Sequence, residues 1–165
     1  MRTYKTFTVT PAVQATPDYS AGDVLFAPTE IADFFPSKNS SAQIVSLFVI
    51  DKQVVGTQAF TLYFTHSATA FGTINATADV AIGTLEEVQA TIPIVAGDWT
   101  TANTDLANTC MLTDPATDGI GSVVSGYNWA RNSFSTSLHI VGIADATMNV
   151  ASTSDLIIKI GVKYL

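Results

Sequence analysis

The sequence predicts an all-β fold, a two-sheet antiparallel sandwich of about eight to ten short strands with at most one or two short helical turns. Period-two alternation of β-branched and aromatic residues recurs along the chain, and turn residues separate the alternating segments at spacings typical of sandwiches. Helix signals are weak throughout. No repeat, linker or charge block divides the 165 residues, so we expect one domain spanning 1–165.

The N-terminal region predicts two strands and one helical turn. Residues 3–10 alternate until Pro11, which cannot donate a ladder hydrogen bond and ends the strand. Residues 24–27 form a second short strand between turn residues and a proline. Residues 28–35 carry a proline near the start and another just after, which favours one helical turn.

Two strongly apolar segments follow. Residues 42–51 are almost continuously apolar, which predicts a strand covered on both faces. Residues 57–66 alternate, and we expect them to pair with 42–51 as a hairpin across the connection at 52–56.

The remaining strands are predicted from shorter patterns, and they fall at 80–82, 88–95, 106–112, 122–125, 133–144 and 154–165. The last segment places Leu156, Ile158 and Ile160 on one face and the lysines on the other. A helix over 98–108, capped by Asp98, is the second helical candidate, although Thr and Asn are mediocre helix formers.

Composition excludes several classes of function. Fourteen acidic and seven basic residues give a net charge of −7, so nucleic acid is not an expected partner. No apolar run is long enough for a membrane helix, and the N-terminal residues lack the apolar block of a secretory signal. One cysteine and two histidines cannot make a zinc site, and we expect neither metal nor cofactor.

No catalytic set emerges from the titratable residues, and we predict that the protein is not an enzyme. His66 and His139 lie in alternating segments without a nearby carboxylate pattern, so both are interpreted as strand residues. Glu86 and Glu87 are adjacent in an extended region, where they would point to opposite faces. Cys110 is interpreted as a small buried hydrophobe.

Four of the seven cations lie near the two ends of the chain, and these are Arg2, Lys5, Lys159 and Lys163. The terminal strands of two-sheet domains often lie side by side, which would gather the four on one partner-binding patch. The alternative is that they protect exposed edge strands from unwanted pairing.

Aromatic residues in presumed loops are the other binding candidates. They are Phe34-Phe35, Trp99, Tyr127 and Trp129, of which Trp99 and Trp129 have polar neighbours. Exposed loop aromatics suit contact with a partner or a sugar. The alternative is that they close the ends of the sandwich.

The surface chemistry favours self-association. Only 13% of the residues are charged, whereas 23 Thr and 13 Ser supply neutral polarity. A lone monomer usually carries more charge for solubility. We therefore expect a closed homo-oligomer.

The chain resembles small tailed-phage virion proteins. The Y-x-x-G-D turn at Tyr19-Ser20-Ala21-Gly22-Asp23 and the closing segment 151–162, which contains S-T-S-D-L, carry the resemblance. The apolar strand, charged turn and second apolar strand at 42–65 add to it. The resemblance implies a jelly-roll-like domain in the virion, of the capsid decoration (cement) or head-fibre type.

The partners that the resemblance implies are the major capsid protein and sister subunits around a local three-fold axis, hence a homotrimer. Assembly would occur in the host cytoplasm, and the protein would lie on the capsid exterior, binding and stabilising the shell. No catalytic or cofactor-binding residues carry over. The alternative function is a tail or fibre module that binds host surface carbohydrate through Trp99, Tyr127 and Trp129.

Overall fold

The computed structural model describes residues 4–38, 40–52, 58–103, 107–113, 127–129 and 135–164. Within them the fold is nearly all β, with one four-residue helical turn, α1 (Ile82–Leu85), and one 3-10 turn (Ala96–Asp98). The strands are β1 (Tyr4–Val9), β2 (Val24–Ile31), β3 (Ala42–Asp51), β4 (Phe60–Thr65), β5 (Val88–Ile94), β6 (Trp99–Asn103), β7 (Ala107–Thr113), β8 (Tyr127–Trp129), β9 (Leu138–Ala144) and β10 (Leu156–Tyr164). The predicted all-β class is confirmed.

The strands form two antiparallel sheets in a jelly-roll order. One sheet has the order β1-β10-β3-β7-β6, with β8 pairing to β3, and the other has the order β2-β9-β4-β5. The pairs nest along the chain: β1 with β10, β2 with β9, β3 with β7, and β4 with β5. A long hairpin rolled up in this way gives the two interlocked Greek keys of a jelly roll.

The core lies between the sheets and follows the alternation of the strands. Ile158, Ile160 and Val162 of β10 are fully buried, and they lie beside Ile44 and other buried apolar residues of β3 in the same sheet. Thirty buried residues form this one cluster among the described residues. Alternation therefore places one side of each strand inside, as two-sheet packing requires.

A second, smaller apolar cluster lies on the outward side of the four-stranded sheet. Val24, Phe71 and Val141 are each fully buried there, with Tyr63 packed against them. Phe71 belongs to the connection between β4 and α1, so this connection covers part of the sheet's outward side. The six-stranded sheet carries no comparable cover among the described residues.

The predicted hairpin between 42–51 and 57–66 is wrong. β3 lies in the six-stranded sheet, whereas β4 pairs with β5 and β9 in the other sheet. Both segments are apolar enough to belong to either sheet. Their closeness in the sequence suggested that they pair with each other, but each pairs with more distant strands. In the nested order, β3 pairs with β7 and β4 pairs with β5, so β3 and β4 lie in different sheets.

Neither predicted helix is present in the described residues, since 28–31 belong to β2 and 99–103 and 107–108 belong to β6 and β7. β2 continues to Ile31, because Glu30 and Ile31 pair with His139 and Leu138 of β9. In place of a helix over 98–108, β6 and β7 form a hairpin in which Trp99 pairs with Cys110.

The predicted strand at 80–82 is also wrong, since α1 begins at Ile82. Strands expected at 88–95, 106–112, 133–144 and 154–165 correspond to β5, β7, β9 and β10. The strand expected at 122–125 lies outside the described residues.

Candidate interaction surface

The terminal strands lie side by side, as predicted, but their cations do not share one face. β1 and β10 pair with Tyr4 opposite Lys163 and Thr8 opposite Lys159. Lys5 pairs with Val162, a core residue, and so points the other way.

The ammonium of Lys5 is engaged within its own chain. Its Nζ donates to the Asp33 carbonyl at 3.3 Å and lies 4.5 Å from the Phe7 ring centroid. Arg2 lies outside the described residues. The single patch expected of the terminal cations is therefore divided, because residues one position apart on a strand face opposite sides.

Lys159 and Lys163 belong to a continuous surface, the outward side of the six-stranded sheet, which we call the outer face. Residues directly opposite on antiparallel strands share a face, so the register defines its members. They are Tyr4, Thr6, Thr8, Gln43, Ser46, Phe48, Ile50, Thr100, Thr109, Met111, Ile157, Lys159 and Lys163.

Apolar side chains are contiguous in the middle of the outer face. Phe48 stands between Lys159 and Met111 across the strands, and Ile50 stands beside Ile157 in the next row. Met111 is 63% exposed, and Phe48, Ile50 and Ile157 are half-buried. Contiguous exposed apolar surface on a soluble domain is typical of an interaction site.

The charge of the outer face is opposite to that of the whole chain. None of its members named above is a carboxylate, and two are lysines. The full chain nevertheless carries a net charge of −7. Such an asymmetry attracts an acidic neighbour and orients it on approach.

The apolar pattern of 42–51 indicated this surface, although none of its residues was among the candidate binding residues. The continuous apolar pattern of 42–51 predicted cover on both faces, yet Phe48 and Ile50 remain half-exposed on the outward side. The prediction is wrong for the described chain, which covers β3 on one face only. A strand with apolar residues on both faces and cover on one suggests that a neighbour supplies the rest.

Trp99 lies in a strand, not in a loop, and its ring packs inward. Its Nε1–H donates to the Gln58 carbonyl at 2.5 Å, and its ring centroid lies 6.4 Å from that of Phe60. Phe34 and Phe35 are also buried. These three aromatics close the sandwich, as the alternative interpretation expected.

Tyr127 and Trp129 likewise lie in a strand and not in loops. They begin and end β8, whose backbone pairs with Ile44 and Ala42 of β3. The structure describes only their backbone, so their part in partner or sugar binding stays a prediction.

Glu86 and Glu87 are not in a strand, contrary to the prediction, because they follow α1. The Glu87 carboxylate accepts hydrogen bonds from the hydroxyls of Ser67 and Thr69. These bonds lower the pKa of Glu87, with a smaller contribution from His66. The cluster ties the end of α1 to the connection after β4, which is a structural role.

Other reactive groups are buried or dispersed. Cys110 is fully buried, as predicted, and burial together with the charge of Asp98 raises its pKa to about 12. His139 stands between Glu30 and Thr65 across the strands. Among the described residues, no group of three His, Cys, Asp or Glu side chains could hold a metal ion. The helical segments described there are also too short or too polar to cross a membrane.

Comparison with known proteins gives only distant structural likeness. No protein family and no curated protein sequence matches the chain. The structure of Desmodium yellow mottle tymovirus matches at 8% identity and a TM-score of 0.28, over 99% of this chain and 87% of that one.

Two structures of infectious bursal disease virus also match. The VP2 subviral particle has 12% identity and a TM-score of 0.23, and the Gt strain has 13% and 0.22. Each alignment covers 99% of this chain but only 40% and 39% of the respective viral chain. What this chain does has to be inferred from its own fold and surface.

Proposed function

We propose that the protein is a non-enzymatic structural component of a virion, a capsid decoration (cement) protein on the outside of the major capsid protein shell. The observation that carries the proposal is the outer face, an apolar and lysine-bearing sheet surface on an acidic molecule. A jelly-roll order of strands is frequent in viral structural proteins. The resemblance at 19–23 and 151–162 supports the same class.

The outer face is comparable in size with one side of a stable protein–protein interface. Five strands about 4.8 Å apart and a β10 of about 30 Å give it a plan area of about 600 Å². Each partner in a standard stable interface contributes about 800 Å². A decoration protein acts by adding such area between neighbours, so that expansion of the shell must first separate them.

The charge distribution supports a place outside the shell. A chain with a net charge of −7 is repelled by packaged DNA, which disfavours the lumen. Lys159 and Lys163, by contrast, favour an acidic protein neighbour over the outer face. The protein would be assembled onto the particle in the host cytoplasm.

The test adds purified protein to capsids that lack it. We expect addition at a fixed stoichiometry and a higher capsid melting temperature. Met111→Asp places a carboxylate on the outer face and should abolish both effects. Val95→Asp is the matched control, because Val95 is 46% exposed and lies outside the outer face. Failure of the wild-type protein to bind capsids would refute the proposal.

A further inference from the structure

A second exposed apolar feature projects from the other side of the sandwich. Ile82 and Leu85 of α1 are 79% and 50% exposed, and Asp79 and Glu86 beside them are exposed as well. We call the segment 79–87 the acidic knob. No Lys or Arg occurs in the sequence between Lys52 and Arg131, so its negative charge has no cationic neighbour along the chain.

The acidic knob is held in place by its own contacts. Thr84 is the buried residue of α1, and the Glu86 N–H donates to the Ile82 carbonyl at 3.3 Å. The Glu87 carboxylate is bound by the hydroxyls of Ser67 and Thr69. Ile82 and Leu85 are thus presented to solvent by a tethered turn, and pre-organisation of this kind lowers the entropic cost of binding.

The acidic knob and the outer face lie on opposite sides of the molecule. The chain that leads into the knob packs through Phe71 against Val24 and Val141, on the outward side of the four-stranded sheet. The outer face belongs to the six-stranded sheet. One chain therefore cannot bring the two surfaces together, and contact between them requires a second copy.

We propose that the acidic knob of one copy docks on the outer face of the next. Ile82 and Leu85 meet the apolar centre around Phe48 and Met111, and the knob carboxylates meet Lys159 and Lys163. This inference rests on the proposed function, because it names the neighbour that covers the outer face. Contact between two outer faces is disfavoured, since it would add only positive charge to the interface and leave the lysines without acidic partners.

Docking of one surface on a different surface makes a heterologous interface. Such contacts close into a ring when the rotation between copies permits and otherwise extend as a filament. The trimer that the resemblance implies corresponds to a ring of three copies. In a closed ring the outer face of every copy is covered by the next copy, so Met111→Asp would lose capsid addition through loss of the ring.

Sedimentation velocity of the full chain at micromolar concentration tests the interface. We expect an oligomer for the wild type and for the control Val95→Asp. Ile82→Asp, in the acidic knob, and Met111→Asp, on the outer face, should each weaken association at least about tenfold, a change of about 1.4 kcal/mol. Both side chains are largely exposed, so the variants should keep the wild-type fold, which near-UV circular dichroism checks.

The decisive measurement mixes the two variants. Ile82→Asp retains an intact outer face and Met111→Asp retains an intact knob, so a mixture should form a one-to-one dimer and nothing larger. A wild-type monomer, normal association of either variant, or a mixture that stays monomeric would overturn the inference. If an aspartate variant fails to fold, Ile82→Ser and Met111→Ser replace the pair and should show the same complementation.

Capsid binding separates this inference from the proposed function. A wild-type monomer that adds to capsids and stabilises them would refute knob docking and leave the decoration role intact. If the wild type is an oligomer and the variants complement as described, but the protein does not bind capsids, knob docking would be supported and the decoration role refuted.

Discussion

The carboxylate of Asp155 accepts a hydrogen bond from the Ser152 backbone N–H at 2.7 Å, and the Asp155 N–H donates to the Ser152 carbonyl at 3.3 Å. The same reciprocal pair joins Ser20 and Asp23, at 2.7 and 3.1 Å. Each aspartate is buried and immediately precedes a strand, β10 or β2. These S-x-x-D turns belong to the motifs that carry the phage resemblance, and their observed role is to direct the chain into the sheets.

Removal of the Asp155 carboxylate should destabilise the fold. Asp155→Ala leaves the Ser152 N–H without its acceptor, and we expect a loss of about 1–2 kcal/mol in the free energy of unfolding. Asp155→Asn keeps an acceptor oxygen and should lose less. Urea denaturation measures both variants, and equal stability of Asp155→Ala and wild type would contradict the structural role.

Gly142 is required by the close approach of an aromatic ring. A Cβ at this β9 position would lie 2.5 Å from Cε1 of Phe26, whose ring is fully buried. Gly142→Ala should therefore cost about 1–3 kcal/mol of stability. Gly83→Ala is the matched control, because no atom lies within 4 Å of its added Cβ. Thermal unfolding of the two variants checks the contrast, and equal melting temperatures would refute it.

The Cys110 thiol should be inert in the folded protein. It is fully buried, and its pKa is raised to about 12, so the thiolate is scarce at ordinary pH. We expect negligible reaction with a disulfide reagent under native conditions and rapid reaction in denaturant. Fast labelling of the native protein would show that the β6–β7 region opens readily.

Stability should depend on pH through Glu87. Its pKa is below the ordinary 4.5, chiefly because of the bonds from Ser67 and Thr69. The stabilising contribution of Glu87 is therefore complete above pH 4.5 and is lost as the pH falls through the lower folded value. Relative to the wild type, Glu87→Gln should be destabilised at neutral pH and should approach it in acid.

The control for this titration removes the two donors. In a Ser67→Ala/Thr69→Val background, Glu87→Gln should cause a difference in unfolding free energy that varies much less with pH, because only the smaller contribution of His66 still lowers the pKa of Glu87. Urea denaturation across the acid range measures both pairs. An undiminished pH dependence in this background would show that the hydroxyls of Ser67 and Thr69 are not the main cause of the low pKa of Glu87.

The strands with long local alternation could be predicted from the sequence, and the elements defined by distant partners could not. β10 was predicted within two residues at each end, because its pattern lies in consecutive residues. β6 was mistaken for a helix, because its polar Thr and Asn residues become a strand only through pairing with β7. The same limit applies to the hairpin expected between β3 and β4.

The candidate surface was likewise predictable only in part. The sequence identified Lys159 and Lys163 as neighbours, and it marked 42–51 as apolar on both faces. It could not place Phe48, Met111 and Ile157 on one surface, because their strands are distant in sequence and their register is set across the sheet. The acidic knob was missed because α1 has no periodic signal in four residues.

By itself, the sequence determined the all-β class, the inward and outward sides of β10, and the acidic, hydroxyl-rich composition, since these depend on neighbouring residues and composition. Only the tertiary structure decided which strands pair and which side of a sheet the described residues leave uncovered. It also placed Lys5 and Lys159 on opposite sides of the sheet, because strand register assigns each side chain to the core side or the solvent side. Hydrogen bonds between distant segments make that choice, and no local pattern contains it.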